Sequence, residues 1–134
     1  MPKSPTALVA VLRFFGAIDS LALLAVFLPH SWMSAAHSYL GLGILPDAPI
    51  VGYLTRSISA LYALHGAMIL FVSFDVPRYW HLIRLLALAA LVHGAIMLGI
   101  DLAVGMPWYW TLIEGPGFAA TGAIVLLLQA QAAH

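Results

Sequence analysis

The chain has 134 residues, of which 63% are hydrophobic and 7% are charged, whereas a soluble domain is usually about half apolar and about a quarter charged. Five basic and five acidic residues give a formal net charge of +0, which leaves no basic surface for nucleic acid. The chain has no cysteine, which excludes disulfides, thiolate metal sites and cysteine nucleophiles.

The class that remains is an integral membrane protein, and four apolar stretches are long enough to span a bilayer. A helix needs about 20 apolar residues to cross a hydrocarbon core roughly 30 Å thick. The predicted spans are residues 7–28, 54–74, 82–104 and 111–132. The sequence therefore predicts an all-α fold, an integral membrane four-helix bundle that forms a single transmembrane domain over residues 1–134.

The connection between the first and second spans is expected to contain a short helix. Apolar residues recur there at helical spacing over residues 31–42, and they include Trp32 and Tyr39. Aromatic residues of this kind are typical of a helix that lies in the membrane interface.

The positions of lysine and arginine predict the orientation of the spans. Lys3 and Arg13 lie near the start of the first span. Arg78 and Arg84 flank the connection between the second and third spans, whereas Arg56 lies on the opposite side. Because cytoplasmic connections are enriched in basic residues, we predict that both termini are cytoplasmic.

Three ionisable side chains from three different spans are predicted near the middle of the bilayer. From the helical rise, Asp19 lies about 18 Å, His65 about 14 Å and His93 about 17 Å from the inner ends of their helices. Polar groups at that depth usually face the interior of the protein. Together with Tyr62, which lies on a polar face of the second span, these residues form the predicted midplane site.

Several kinds of chemistry are compatible with this midplane site. One interpretation is structural, with His65 or His93 hydrogen-bonded to Asp19 or to a backbone carbonyl. Another is a haem b held by both histidines, and a third is a quinone or lipid hydrogen-bonded by histidine and Tyr62. A proton relay is equally compatible. No ligand spacing within a single helix supports a metal site, so none is predicted.

A second polar cluster is predicted near the outer ends of the spans. Arg56, Asp101 and Glu114 come from three spans at nearly the same depth, about 27–28 Å from the inner ends. An arginine between two carboxylates would tie helix ends together as an ion-pair clamp. Alternatively, the three residues would form the mouth of a pocket for a lipid or quinone substrate, with Trp108 and Trp110 as its walls.

A pattern of residues along nearly the whole chain resembles a known group of proteins. It consists of Arg13-Phe14-Phe15-Gly16, Pro29, Arg56, Asp75 with Arg78, Gly94, Gly105 with Pro107, and Glu114-Gly115-Pro116. This pattern is similar to the DoxX-like small four-helix bacterial membrane proteins, most of which have no assigned function. The resemblance implies a four-helix bundle in the bacterial inner membrane. The namesake of the group is associated with a quinone-linked terminal oxidase, but no catalytic residues transfer to this chain.

The leading functional hypothesis is a small four-span membrane protein that binds a lipophilic or redox ligand, such as a quinone, a lipid or haem b, near His65 and His93. The first alternative is a structural or accessory subunit of a membrane complex that has no ligand of its own. The second is a membrane enzyme that acts on a lipid or quinone at the pocket of Arg56, Asp101 and Glu114. The expected partners are the lipid bilayer and further copies of the chain or a larger membrane complex.

Overall fold

The computed structural model of the protein describes residues 5–133, so Lys3 and His134 lie outside the described residues. Within this range every regular secondary-structure element is a helix. The helices are α1 (Thr6–Ser20), α2 (Leu23–Phe27), α3 (His30–Tyr39), α4 (Pro49–Ser73), α5 (Trp80–Val104) and α6 (Trp108–Ala132). The all-α prediction is therefore confirmed.

Four helical segments are long and apolar enough to cross a membrane, as predicted. They are Thr6–Phe27, Pro49–Ser73, Trp80–Val104 and Trp108–Ala132. Between 11% and 22% of the most apolar part of each segment is buried within the protein. Most of their leucine, isoleucine and phenylalanine side chains therefore face outward, where a bilayer rather than water can solvate them. The chain is a multi-pass membrane protein.

The first span is made of two helices rather than one. The Ser20 hydroxyl donates a hydrogen bond to the Gly16 carbonyl at 2.7 Å, and a side chain that bonds back in this way often bends a helix. The next backbone amide, that of Leu21, is shared between the carbonyls of Ala17 and Ile18, both at 3.1 Å. The chain therefore passes through a short turn before α2 begins.

The short helix expected after the first span is present as α3, which begins directly after Pro29. The other three spans begin earlier than the apolar pattern predicts, at Pro49, Trp80 and Trp108. Proline is well suited to the first turn of a helix because its missing amide needs no partner there. Aromatic residues at the membrane interface extend the helix but contribute little to its mean hydropathy. The predicted start of each of these spans was therefore too late.

The chain divides into two compact units. Among the described residues, unit 1 comprises residues 5–13 and 71–133, and unit 2 comprises residues 14–70. In unit 1, α5 and α6 pack along each other, and the buried residues include Ile83, Ala87 and Val125. In unit 2, the buried apolar residues include Ala63 and Ile69 of α4.

Candidate functional site

In unit 2 the structure pairs two of the predicted midplane residues. The His65 Nδ1 atom lies 2.9 Å from the Asp19 Oδ2 atom, and both side chains are partly buried. If Asp19 is a carboxylate, it can only accept, and Nδ1 of His65 is then the donor. The pair joins α1 to α4. This is the structural hydrogen bond that the sequence analysis offered as one interpretation. Tyr62, one turn earlier on α4, is half-buried.

A close approach of α1 and α4 explains why Asp19 and His65 meet. A Cβ atom placed on Gly66 would lie 2.4 Å from the Ser20 amide nitrogen and 2.6 Å from the Gly16 carbonyl oxygen. Only glycine fits at such a contact, where two helix backbones touch. His65 directly precedes Gly66, and Asp19 directly precedes Ser20. The imidazole and the carboxylate therefore flank the point where the helices cross.

Arg56 binds backbone carbonyls at the end of the first span. Its Nε atom donates to the Val26 carbonyl and its Nη2 atom donates to the Leu28 carbonyl, both at 3.1 Å. The last carbonyls of a helix have no partners within the helix, so this guanidinium caps α2. Because Arg56 belongs to unit 2 and both Asp101 and Glu114 belong to unit 1, the predicted cluster of all three residues stays a prediction.

Unit 1 contains a cluster of polar side chains on α5 and α6, which we call the α5/α6 polar cluster: His93, Asp101, Trp110 and Glu114. The Trp110 indole donates a hydrogen bond to the Glu114 carboxylate. The Asp101 carboxyl group lies within hydrogen-bonding distance of the Glu114 carboxyl group. His93 lies close enough to Glu114 for an electrostatic interaction between the two side chains. Asp101 and Glu114 are therefore neighbours in unit 1, whereas their predicted cluster with Arg56 stays a prediction.

Asp101 is the most buried member of the cluster. Its side chain is 3% exposed, and its Oδ2 atom is buried without a hydrogen-bond donor. A buried carboxylate oxygen without a donor is strongly unfavourable. Two ionised carboxylates have no proton to share, so the proximity of Asp101 and Glu114 is favourable only if one of them is protonated or a further donor is present.

Two glycines bring these side chains together. A Cβ atom on Gly94 would lie 2.5 Å from the Gly115 carbonyl oxygen, and one on Gly115 would lie 2.7 Å from the Gly94 carbonyl oxygen. The backbones of α5 and α6 therefore touch at this level. His93 precedes Gly94 and Glu114 precedes Gly115, so both lie beside the crossing point. The repeated His-Gly dipeptide thus marks a helix contact in each unit.

His93 has surroundings that the sequence did not predict. Its ring packs edge-on against Phe118 of α6, with 4.7 Å between the ring centroids. His93 lies in unit 1, whereas Asp19, Tyr62 and His65 lie in unit 2. The predicted four-residue midplane site is thus divided between two units, and as a single site it stays a prediction.

Two polar contacts were missed by the sequence analysis. One is the bond from Trp110 to Glu114, whose spacing of four residues on one helix was a usable signal. The other is Gln129 on α6, whose Nε2 atom donates to the Trp80 carbonyl of α5 at 2.9 Å. A glutamine within an apolar span was the signal for this second contact, because polar groups in spans usually bond across helices.

Over residues 5–133, no group of three histidine or acidic side chains is arranged to hold a metal ion. Comparison with protein-family models, with curated proteins and with solved structures finds no match to this chain.

Proposed function

We propose that the protein binds a lipophilic ligand of the quinone class at the α5/α6 polar cluster. The observation that carries this proposal is the buried Asp101 Oδ2 atom without a donor beside the Glu114 carboxyl group. One proton shared between the two carboxyl groups would form a hydrogen bond between them. A carboxyl pair with one proton can also accept a hydrogen bond from a ligand hydroxyl or donate one to a ligand carbonyl. This assignment moves the centre of the site from the pair of His65 and His93 to α5 and α6.

Each member of the cluster has a distinct part in this proposal. Glu114 and His93 are half-buried, so they are the groups that contact the ligand. Glu114 accepts a hydrogen bond from a quinol hydroxyl, and His93 bonds the second oxygen. Asp101 lies behind them and shares one proton with Glu114. Phe118, which packs on His93, provides an apolar surface for the ligand ring.

Three ligands with the same ring test the proposal: a short-chain ubiquinol analogue, its quinone and its dimethyl ether. Each is measured by equilibrium binding to the protein in nanodiscs. A hydrogen bond to a charged acceptor contributes about 1.5–3 kcal/mol, so the quinol should bind about tenfold or more tightly than the ether. Glu114→Gln should remove most of this preference. Asp75→Asn is the matched control, because Asp75 is an exposed carboxylate outside the cluster.

Equal affinity for the quinol and the ether in the native protein would refute a hydrogen-bonded quinol site. A folded protein that binds none of the three ligands would favour the accessory subunit without a ligand of its own. Turnover of a bound lipid or quinone that is lost in Glu114→Gln would instead favour the membrane enzyme. Infrared spectra of the ligand-free protein should show a protonated carboxylic acid that is absent when both Asp101 and Glu114 are replaced by their amides.

A second candidate is haem b, which is favoured by the hydrogen bond between Asp19 and His65. Histidines that bind iron commonly donate their other ring nitrogen to a carboxylate. Since Nδ1 of His65 bonds Asp19, iron would bind His65 through Nε2. An oxidised-minus-reduced spectrum of protein purified from haem-supplemented cells tests this. A Soret band lost in His65→Ala would support it, and a flat spectrum would exclude it.

We also propose that the protein resides in the bacterial inner membrane with cytoplasmic termini, as a homo-oligomer or as part of a larger membrane complex. The distribution of Arg13, Arg78 and Arg84 supports cytoplasmic termini. The resemblance to the DoxX-like group supports the bacterial inner membrane. The large outward-facing apolar surface of the spans leaves room for a homo-oligomer or a larger membrane complex. Cysteine-labelling of residues placed at each terminus would test the orientation, since the native chain has no cysteine.

A further inference from the structure

A cavity lies between α5 and α6 at the end of the pair where α5 begins and α6 ends. Its volume is about 260 Å³, and its lining includes Trp80, Arg84, Leu88, Leu126 and Gln129. A single buried water needs roughly 10–15 Å³, so the space is far larger than a water site. It is slightly below the roughly 300–1,000 Å³ of sites for drug-sized molecules. Its size therefore suits the headgroup of a lipid.

The polar atoms of this cavity define the chemistry of its occupant. The Gln129 side chain is 4% exposed and donates through Nε2 to the Trp80 carbonyl at 2.9 Å. This bond fixes the orientation of the amide, because the reversed orientation would place two oxygens against each other. The opposite atom, Oε1, is buried without a hydrogen-bond partner. It requires a donor such as a hydroxyl group.

The charge of the cavity lining restricts which hydroxyl-bearing molecules can bind. Arg84 is the one charged side chain among the described residues that line the cavity. A guanidinium binds phosphate through paired hydrogen bonds and keeps its charge at any physiological pH. Leu88 and Leu126 make the adjoining lining apolar. The occupant therefore combines a negative phosphate, a hydroxyl-bearing headgroup and an apolar part.

We propose that this cavity binds an anionic phospholipid whose headgroup carries hydroxyl groups, of the phosphatidylglycerol type. Arg84 binds the phosphate, Gln129 Oε1 accepts a hydrogen bond from a headgroup hydroxyl, and the acyl chains follow the apolar surface of α5 and α6. The cavity is distinct from the α5/α6 polar cluster, which lies at the other end of the same two helices. The proposal therefore does not depend on the quinone site.

Native mass spectrometry of the whole protein in a non-ionic detergent tests the proposal, with three lipids of equal chain length. Phosphatidylglycerol has the negative charge and the hydroxyls, phosphatidylmethanol has the charge alone, and phosphatidylethanolamine has a donor without net charge. We expect phosphatidylglycerol to bind about fivefold more tightly than phosphatidylmethanol, as one neutral hydrogen bond implies. Phosphatidylglycerol should also bind more tightly than phosphatidylethanolamine. Arg84 pairs with the phosphate, and a lipid with a net negative charge is therefore favoured over one with no net charge.

Three single substitutions distinguish a specific binding site from general electrostatic attraction of anionic lipids. Arg84→Gln should weaken phosphatidylglycerol binding about tenfold, as loss of a charge-assisted phosphate contact implies. Arg78→Gln is the matched control, since it removes the same charge from the same end of the protein at an exposed position outside the cavity. Gln129→Met keeps the side-chain length but removes the acceptor, so it should abolish the preference for phosphatidylglycerol over phosphatidylmethanol.

Several outcomes would overturn the proposal. Equal losses in Arg84→Gln and Arg78→Gln would show attraction between charges without a specific site. Equal binding of phosphatidylglycerol and phosphatidylmethanol by the native protein would exclude the hydroxyl contact. Displacement of the lipid by millimolar inorganic phosphate or glycerol 1-phosphate would assign the cavity to a soluble anion. If Gln129→Met does not fold, the comparison of the three lipids on the native protein still decides the question.

Discussion

The contact between α5 and α6 predicts a large difference between two alanine substitutions on the same helix. A Cβ atom on Gly94 would lie 2.5 Å from the Gly115 carbonyl oxygen and 2.7 Å from the Ala119 amide nitrogen. An ordinary contact begins near 3.4 Å, so the helices would have to separate by 3.4 − 2.5 = 0.9 Å at this point. Both obstructing atoms belong to a helix backbone, which cannot rotate away as a side chain can.

The matched control is Gly99→Ala, because a Cβ atom at Gly99 meets nothing within 4 Å. Both substitutions gain the same helix propensity of about 1 kcal/mol, which cancels when the two are compared. The remaining difference is the cost of overpacking, which is typically about 1–3 kcal/mol. We therefore expect Gly94→Ala to unfold more easily than Gly99→Ala by that free energy.

Unfolding in mixed micelles, with an increasing fraction of sodium dodecyl sulfate and helix content followed by circular dichroism, measures this difference. Gly115→Ala and Gly117→Ala repeat the comparison on α6, since Gly115 faces the Gly94 carbonyl and Gly117 faces open space. If the members of each pair unfold at the same detergent fraction, α5 and α6 do not touch at their backbones. The arrangement of the α5/α6 polar cluster would then be wrong as well.

Two further predictions concern unit 2. In a double-mutant cycle of Asp19→Leu and His65→Leu, the coupling free energy should be about 0.6–1.7 kcal/mol, as found for hydrogen bonds between spans; a coupling near zero would show that the bond has no net stabilising effect. Arg56→Lys keeps the charge but loses the fork that bridges the Val26 and Leu28 carbonyls. Amide hydrogen exchange measured along α2 should therefore be faster in Arg56→Lys than in the native protein, and unchanged exchange would contradict the proposed capping role.

The helices could be predicted from the sequence where they depend only on the residues within each segment. The four spans follow from apolar runs of about 20 residues, and no tertiary contact is needed to recognise them. The short helix α3 followed from helical spacing between Trp32 and Tyr39. The starts of α4, α5 and α6 were predicted too late, because proline and interfacial aromatic residues lower the hydropathy without ending the helix.

The polar contacts were predictable only in part. The sequence placed Asp19 and His65 at similar depth, and it did the same for Asp101 and Glu114, because depth follows from the helical rise. Depth does not define which faces of two helices meet. The sequence therefore left open whether His65 and His93 face each other, and the contact of His93 with Phe118 is known only from the structure.

The sequence by itself determined that this protein is helical, that it spans a membrane four times and which levels of the spans carry polar groups. These properties depend on residue type and on position along one helix. The tertiary structure alone decided which polar groups meet, because that depends on where two backbones come close enough to touch. Gly66 and Gly94 mark those places, and the residues beside them, His65 and His93, acquire their partners from the helix that crosses there.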